Sequence, residues 1–319
     1  MRYVEGIGFS ILSHKDIEAI HEATLQVLEE VGIKVFGNEA LEIYGGAGCD
    51  VDKSSNMVKI PRQLVEDAIE SAPGKVLMAG RDPSKDVILE GERVTFTNFG
   101  TGTMMLDLET GELRSSGKQD LADTARICDA IDEVDTFTIA VTAQDVPEIS
   151  RELHEAEAVL NNTVKHFAHD TSDAESTRLV VEMGAAIVGG KEKLRERPVI
   201  SLGTCPNSPL ELHINNTEVI IETARAGIPL DILSMAMAGG TSPVTLPGTL
   251  VVTNAEILGG IVLAQIVRKG TPVIYGSSTT ILDLLYTTTP VGAPEHGMIG
   301  AAVAQIGQFY NIPTDVGGT

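Results

Sequence analysis

Val199-Ile200-Ser201-Leu202-Gly203-Thr204, Leu230-Asp231-Ile232-Leu233-Ser234-Met235 and Pro272-Val273-Ile274-Tyr275-Gly276-Ser277 are three apolar runs, separated by longer stretches with helical spacing. Each run is too short for a helix, and β-branched residues recur in them, most densely in Val199–Thr204. Such runs suit parallel strands covered on both faces. Working outward, residues 212–226 and 249–268 read as the helices between them. Upstream, helices over 118–130, 150–162 and 174–188 alternate with strands over 136–142 and 165–169. Downstream, a helix over 295–310 leads to a strand over 312–316. Six strand-like runs with helices between them describe a series of βα units.

The first part of the chain has a different rhythm. Residues 13–31 predict a helix capped by Ser13, with Asp16 at the third helical position and Gly32 as its stop. A short helix is expected over 38–45, and another from Pro61 to Ser71. Residues 93–109, with Gly100 and Gly102 between Asn98 and Met104, predict a small sheet pair with a glycine turn. The domain reading is therefore a helical N-terminal lobe over 1–92 and a partial barrel with a leading hairpin over 93–319.

Two α/β folds compete for the second region: an open doubly wound sheet and a closed (β/α)8 barrel. No GxGxxG follows an early strand and no Walker A motif occurs, so the usual cofactor signals of the open fold are missing. Six units do not close an eight-unit barrel. The chain is read either as a complete six-stranded sheet or as a barrel lacking its last quarter.

Composition narrows the function. Lys and Arg total 23 against 45 Asp and Glu, a formal charge of -22, which repels phosphate backbones. Cys49, Cys128 and Cys205 are widely spaced and form no CxxC pair, so neither a disulfide framework nor a zinc knuckle is expected. The N-terminus carries no signal-peptide pattern, and a reducing, cytoplasmic setting is expected.

In a barrel, chemistry gathers at the C-terminal ends of the strands. Those ends carry His166 and His169, then Cys205 to Glu211, then Ser234 to Pro243, then Tyr275 to Thr280. His166 and His169 lie three apart in a strand and must face opposite ways, which argues against a metal pair. Cys205 has no evident base to form a thiolate. Glu211 directly follows a strand and is the better inward carboxylate, while Asn254 and Glu256 sit in an apolar helix and need partners if buried. The residues singled out for catalysis are Glu211, Ser277 and Thr279. For substrate binding they are Phe99, His169, Tyr275 and Glu256. No metal is expected.

Several ordered motifs resemble the trimethylamine methyltransferase family. They are Asn98-Phe99-Gly100-Thr101-Gly102, Cys205-Pro206-Asn207-Ser208-Pro209-Leu210-Glu211-Leu212, Leu233 to Gly240, Asn254-Ala255-Glu256 with Gly260 to Gln265, Tyr275 to Thr280, and Pro290 to Glu295. The resemblance runs from about residue 12 onward and implies a TIM-type (β/α)8 barrel, of which about six units are present. It implies methyl transfer from trimethylamine to the cobalt(I) corrinoid of a cognate partner protein, the first step of methylamine use in methanogenesis. No cofactor is then held permanently, since the corrinoid rides on the partner. Self-association of the full-length protein is also implied. Relatives act on glycine betaine, and an inactive fragment that binds an amine or the corrinoid protein is the further alternative.

In that family a pyrrolysine follows a segment like Ile312-Pro313-Thr314-Asp315-Val316-Gly317-Gly318-Thr319. The resemblance thus implies a chain interrupted just before that residue and inactive by itself. The sequence has no Trp, so an aromatic cage for an alkylammonium ion must draw on Phe99, Phe167, Tyr275 or Tyr286.

Overall fold

The computed structural model describes Val4–Glu5 and residues 10–317 of the 319-residue chain. Helix α1 spans His14–Gln26. The Asp16 amide donates to the Ser13 hydroxyl, and the Ser13 amide donates back to the Asp16 carboxylate, the expected capping box. A π-helical turn at Val27–Val31 follows, and Gly32 ends it at φ 87°. A Cβ there would lie 2.5 Å from the Val58 carbonyl oxygen, so only glycine fits. Helices α2 (Asn38–Gly46) and α3 (Arg62–Ser71, entered through Pro61) complete this region.

The alternation then begins with α4 (Lys118–Ala130) and β1 (Thr136–Thr138), then α5 (Arg151–Leu160) and β2 (His166–Asp170). Next come α6 (Ala174–Val188), a short α7 (Lys191–Glu196) and β3 (Ile200–Thr204). The series continues through α8 (Ile214–Ala226), β4 (Leu230–Ser234), α9 (Leu246–Val267), β5 (Val273–Ser277), α10 (Pro294–Phe309) and β6 (Thr314–Val316). Every expected strand and helix of this region is present, and α7 is an addition.

The chain forms two compact units, and the boundary expected at residue 92 does not separate them. Among the described residues, one unit contains Val4–Glu5 and residues 77–203; the other joins residues 10–76 with 204–317. In the first, β1, β2 and β3 run parallel, with Phe137 opposite Phe167 and His169 opposite Leu202. Strand β1 ends earlier than expected, because residues beyond it pair with the glycine-rich segment. Gly102 donates to the Ala140 carbonyl and Thr142 donates to that of Gly102. The hairpin also shifts: Met104–Leu106 pairs with Leu113–Ser115 across a turn at 107–112, and Gly100-Thr101-Gly102 is not the turn. Gly100 instead lies flat on the chain beyond β1, where a Cβ would meet the Ile139 carbonyl oxygen at 2.2 Å.

In the second unit, β4, β5 and β6 run parallel, and α9 is the central helix. Residues such as Ile257, Leu258, Ile261, Val262 and Leu263 are fully buried, each worth about 1.5–3 kcal/mol of burial. Helices α1, α2, α3, α8 and α10 cover α9, so the N-terminal helices serve as one wall of this core. Their strands join in too: Ile33–Val35 pairs in parallel with Glu211–Leu212 and antiparallel with Met57–Lys59. The grouping of 10–76 with the later chain follows from this packing. Helix α9 is long and apolar enough to cross a bilayer, but 78% of its most apolar window is buried within the protein, as a core helix requires.

Candidate active site

Within the second unit, polar side chains converge on Glu256, the single carboxylate of the largely apolar helix α9. It is 2% exposed. Its Oε2 accepts from the Ser234 hydroxyl at 2.6 Å and the Ser208 hydroxyl at 2.9 Å. Its Oε1 accepts from the Leu210 amide at 2.9 Å. Loss of hydration raises the Glu256 pKa above the usual carboxylate range, and the three donors oppose this. The Leu210 backbone stands at φ 60°, a left-handed conformation that the carboxylate holds through the amide. Glu256 therefore ties the loop after β3 to the end of β4.

The end of β5 joins the same cluster. Thr279 shares a hydrogen bond with Thr253, one turn before Glu256, at 3.1 Å, and its hydroxyl donates to the Ser234 carbonyl at 3.4 Å. The Thr279 amide donates to the Ser277 hydroxyl at 3.1 Å, and Gly317, beyond β6, donates to the Ser277 carbonyl at 3.0 Å. Strand ends β4, β5 and β6 are thus bound into one polar group.

The predicted site residues fall in different places. Ser277, Thr279 and Glu256 meet in this cluster. Glu211 does not bond to it: its carboxylate takes His213 Nε2 at 2.9 Å and Lys34 at 3.4 Å and stays partly exposed. The His213 hydrogen bond and then Lys34 hold its pKa down against desolvation. The preference between the two glutamates reverses, because Glu211 opens a surface strand while Glu256 faces inward from α9. Tyr275 is fully buried on the helix side of β5, and its hydroxyl donates to Asn254 Oδ1 at 2.8 Å. It is a packing residue with no surface for a substrate. Asn254 also donates to Thr24 and Tyr310, so its need for partners is met.

In the first unit, Phe99 is 79% exposed. His166 and His169 face opposite ways, as their spacing requires. His166 reaches Ser201 and the Ala79 and Pro198 carbonyls, and burial lowers its pKa to about 4. His169 stacks on Phe167 at 5.1 Å and contacts the Glu152 carbonyl of α5 through Nε2 at 3.1 Å. Of the four aromatic residues proposed for a cage, Phe167 and Tyr275 are fully buried in packing, while Phe99 and Tyr286 are exposed. An open groove of about 400 Å³ between α4 and α5, lined by Lys118, Asp145 and Glu157, lies in the helix layer rather than at the Glu256 cluster. Among the described residues, no three His, Cys, Asp or Glu side chains are grouped to hold a metal ion.

The sequence profile of the trimethylamine methyltransferase family matches residues 4–319. The chain belongs to this family. It is 49% identical to a trimethylamine methyltransferase of Desulfitobacterium hafniense over 99% of this chain and 64% of that protein. The corresponding protein of Methanosarcina barkeri strain Fusaro is 43% identical over 99% of this chain and 65% of its own length. A glycine betaine methyltransferase of Desulfitobacterium hafniense is 32% identical over 97% and 64%. The chain thus spans slightly under two thirds of these relatives. The crystal structure of the Methanosarcina barkeri monomethylamine methyltransferase aligns with a TM-score of 0.52 over 94% of this chain and 66% of that one, at 11% identity, a likeness of fold.

For this member of the trimethylamine methyltransferase family, sequence reasoning missed Ser208 and Ser234 as partners of Glu256, and Thr253 as the partner of Thr279. Their signal was present: hydroxyls at strand ends and one turn from a buried acid. It also missed His296, whose buried Nδ1 has no partner among the described residues; the buried hydroxyl of Thr280, in the Tyr275–Thr280 run that it did single out, has none among them either.

Proposed function

We propose that the whole protein transfers a methyl group from trimethylamine to the cobalt(I) corrinoid of a cognate corrinoid protein. The observation that carries this reading is the 49% identity to a trimethylamine methyltransferase over 99% of the chain. The six parallel strands are read as part of a TIM-type (β/α)8 barrel, with the Glu256 cluster at the catalytic ends of its strands.

A protonated amine is a poor methyl donor, so the reaction needs a strong nucleophile held in line with the C–N bond. The reduced corrinoid supplies that nucleophile as the acceptor substrate. The C–N bond breaks, its electron pair stays on nitrogen, and dimethylamine leaves. In this reading Glu256 is a positioning residue: its lone pairs take the Leu210 amide and the Ser208 and Ser234 hydroxyls, which fixes the two loops around the substrate. The reaction would take place in the cytoplasm, as the opening step of methylamine use, by a self-associating protein.

A second reading takes glycine betaine as the methyl donor, supported by the 32% identical relative. The test incubates the whole protein with its corrinoid partner and each donor. Dimethylamine from trimethylamine supports the first reading; dimethylglycine from glycine betaine, with trimethylamine untouched, moves it to the second. Methyl loss from neither donor removes both.

A further inference from the structure

A chain of hydrogen bonds with fixed senses crosses the core of the second unit and ends on His21 of α1. Thr24 gives its one hydroxyl hydrogen to the Ile20 carbonyl at 2.8 Å, so towards Asn254 it can only accept, and Asn254 Nδ2 donates to it at 2.9 Å. The second N–H of that amide goes to the Tyr310 oxygen at 2.8 Å, and Asn254 Oδ1 accepts from the Tyr275 hydroxyl at 2.8 Å. Tyr310 keeps its own hydrogen, and the other contact of its hydroxyl among the described residues is His21 Nδ1 at 2.9 Å. Nδ1 is thus the acceptor, which places the ring hydrogen on Nε2 and leaves the ring neutral. Thr24, Asn254 and Tyr275 are fully buried and Tyr310 is 6% exposed, so these bonds are made out of reach of bulk water.

A proton on His21 breaks the pattern at one end. Its Nδ1–H would point at an oxygen that already takes the Asn254 N–H. The Tyr310 hydrogen would lose its acceptor inside the core, where an unmet donor is costly. With α1 lifted away, the half-buried ring meets water and takes the proton freely, so acid favours the lifted form. Burial lowers the His21 pKa from 6.5, Glu66 and Glu22 raise it, and Arg62 lowers it. Arg62 and Glu66 come from α3, and Arg62 is itself forked onto Glu22 of α1 at 2.5 and 2.6 Å. Helix α10 adds the Phe309 ring, centred 5.8 Å from that of His21, and the Tyr310 hydroxyl follows it; α9 acts through Asn254.

We propose that His21, Tyr310 and Asn254 form a pH-operated latch, which holds α1 against α9 and α10 while His21 is neutral and releases it on protonation. The far end of the chain is Tyr275, two residues before Ser277, so the latch is anchored on the strand that carries the polar cluster at its tip. The folded-state pKa of His21 lies below its unfolded value, so the hold is complete above pH 6.5 and is lost as pH falls below it. The latch stands independently of the methyl-transfer reading.

The first measurement needs no variant. Histidine-selective ¹⁵N NMR of the protein at about pH 8 should show His21 with a bare Nδ1 and its hydrogen on Nε2, and a hydrogen on Nδ1 overturns the proposal. The second is hydrogen exchange of the α1 amides, corrected for the intrinsic effect of pH. It should quicken by as much as about 10-fold from about pH 7.5 to 5.5, the most that one group titrating at 6.5 in the open form can give. His21→Asn keeps an acceptor near Nδ1 that does not titrate, and should abolish this step with α1 still protected. Tyr310→Phe removes the hydroxyl and should leave α1 exchanging fast at both values. His14→Asn is the control: that exposed ring also packs on Phe309, with centroids 5.7 Å apart, and its loss should keep the step. A step that survives His21→Asn, a step that His14→Asn removes, or α1 exchange that is flat in the wild type overturns the latch. If His21→Asn and Tyr310→Phe both fail to fold, the tautomer and the wild-type exchange step decide.

Discussion

At Glu256 a carboxylate has been placed where three donors need it and water does not reach it. Removing it by Glu256→Ala leaves the Leu210 amide and two hydroxyls unmet, which should cost about 3–5 kcal/mol. Glu256→Gln keeps one acceptor and can donate to a rotated hydroxyl, so about 1–2 kcal/mol is expected. Urea denaturation of both variants checks the order; equal losses would remove the carboxylate's organising role. Burial also gives a pH signature. The folded-state pKa of Glu256 lies above its unfolded value, so the folded protein binds the extra proton. Its contribution is greatest below the unfolded value and declines as pH rises through the folded one. Glu256→Gln should flatten that decline. His166 acts in the opposite sense: its pKa falls from 6.5 to about 4, so the stability it gives is present above 6.5 and is lost as pH falls toward 4. Its ring should remain neutral by NMR at pH 5, and a protonated ring there would contradict its enclosed setting.

Elements were legible where spacing and caps agreed. The Ser13–Asp16 box, the Gly32 stop and the alternation from α4 to β6 all stood in the sequence, because local chemistry and tertiary packing favour the same structure there. The Gly100–Gly102 segment misled, because its glycines serve close approach to the backbone beyond β1, and composition does not distinguish that from a turn. The site was legible by region and not by role. Strand ends pointed to Ser277 and Thr279, but whether Glu211 or Glu256 turns inward depends on which strand joins the outer sheet, a long-range pairing. Gly32 offers a test at this scale. Gly32→Ala combines a left-handed backbone with a 2.5 Å approach to the Val58 carbonyl and should cost about 2–4 kcal/mol. Thermal unfolding unchanged within a degree would mean the turn relaxes freely.

Over the whole molecule, the formal charge of -22 opposes compaction. Raising sodium chloride from about 10 to 150 mM shortens the screening length from about 30 to 8 Å, so the unfolding midpoint should rise. A falling midpoint would show that ion pairs such as Arg114–Asp120 and Arg197–Asp86 outweigh the general repulsion.

The packing of α1, α2 and α3 on α9 also has a meaning in time. A ribosome adds about 5–20 residues per second, so the roughly 175 residues between the end of α3 and the start of α9 take about 10–35 seconds to appear. During that interval three amphipathic helices exist without the helix that covers them. Their apolar faces become a waiting surface for chaperones in every round of synthesis.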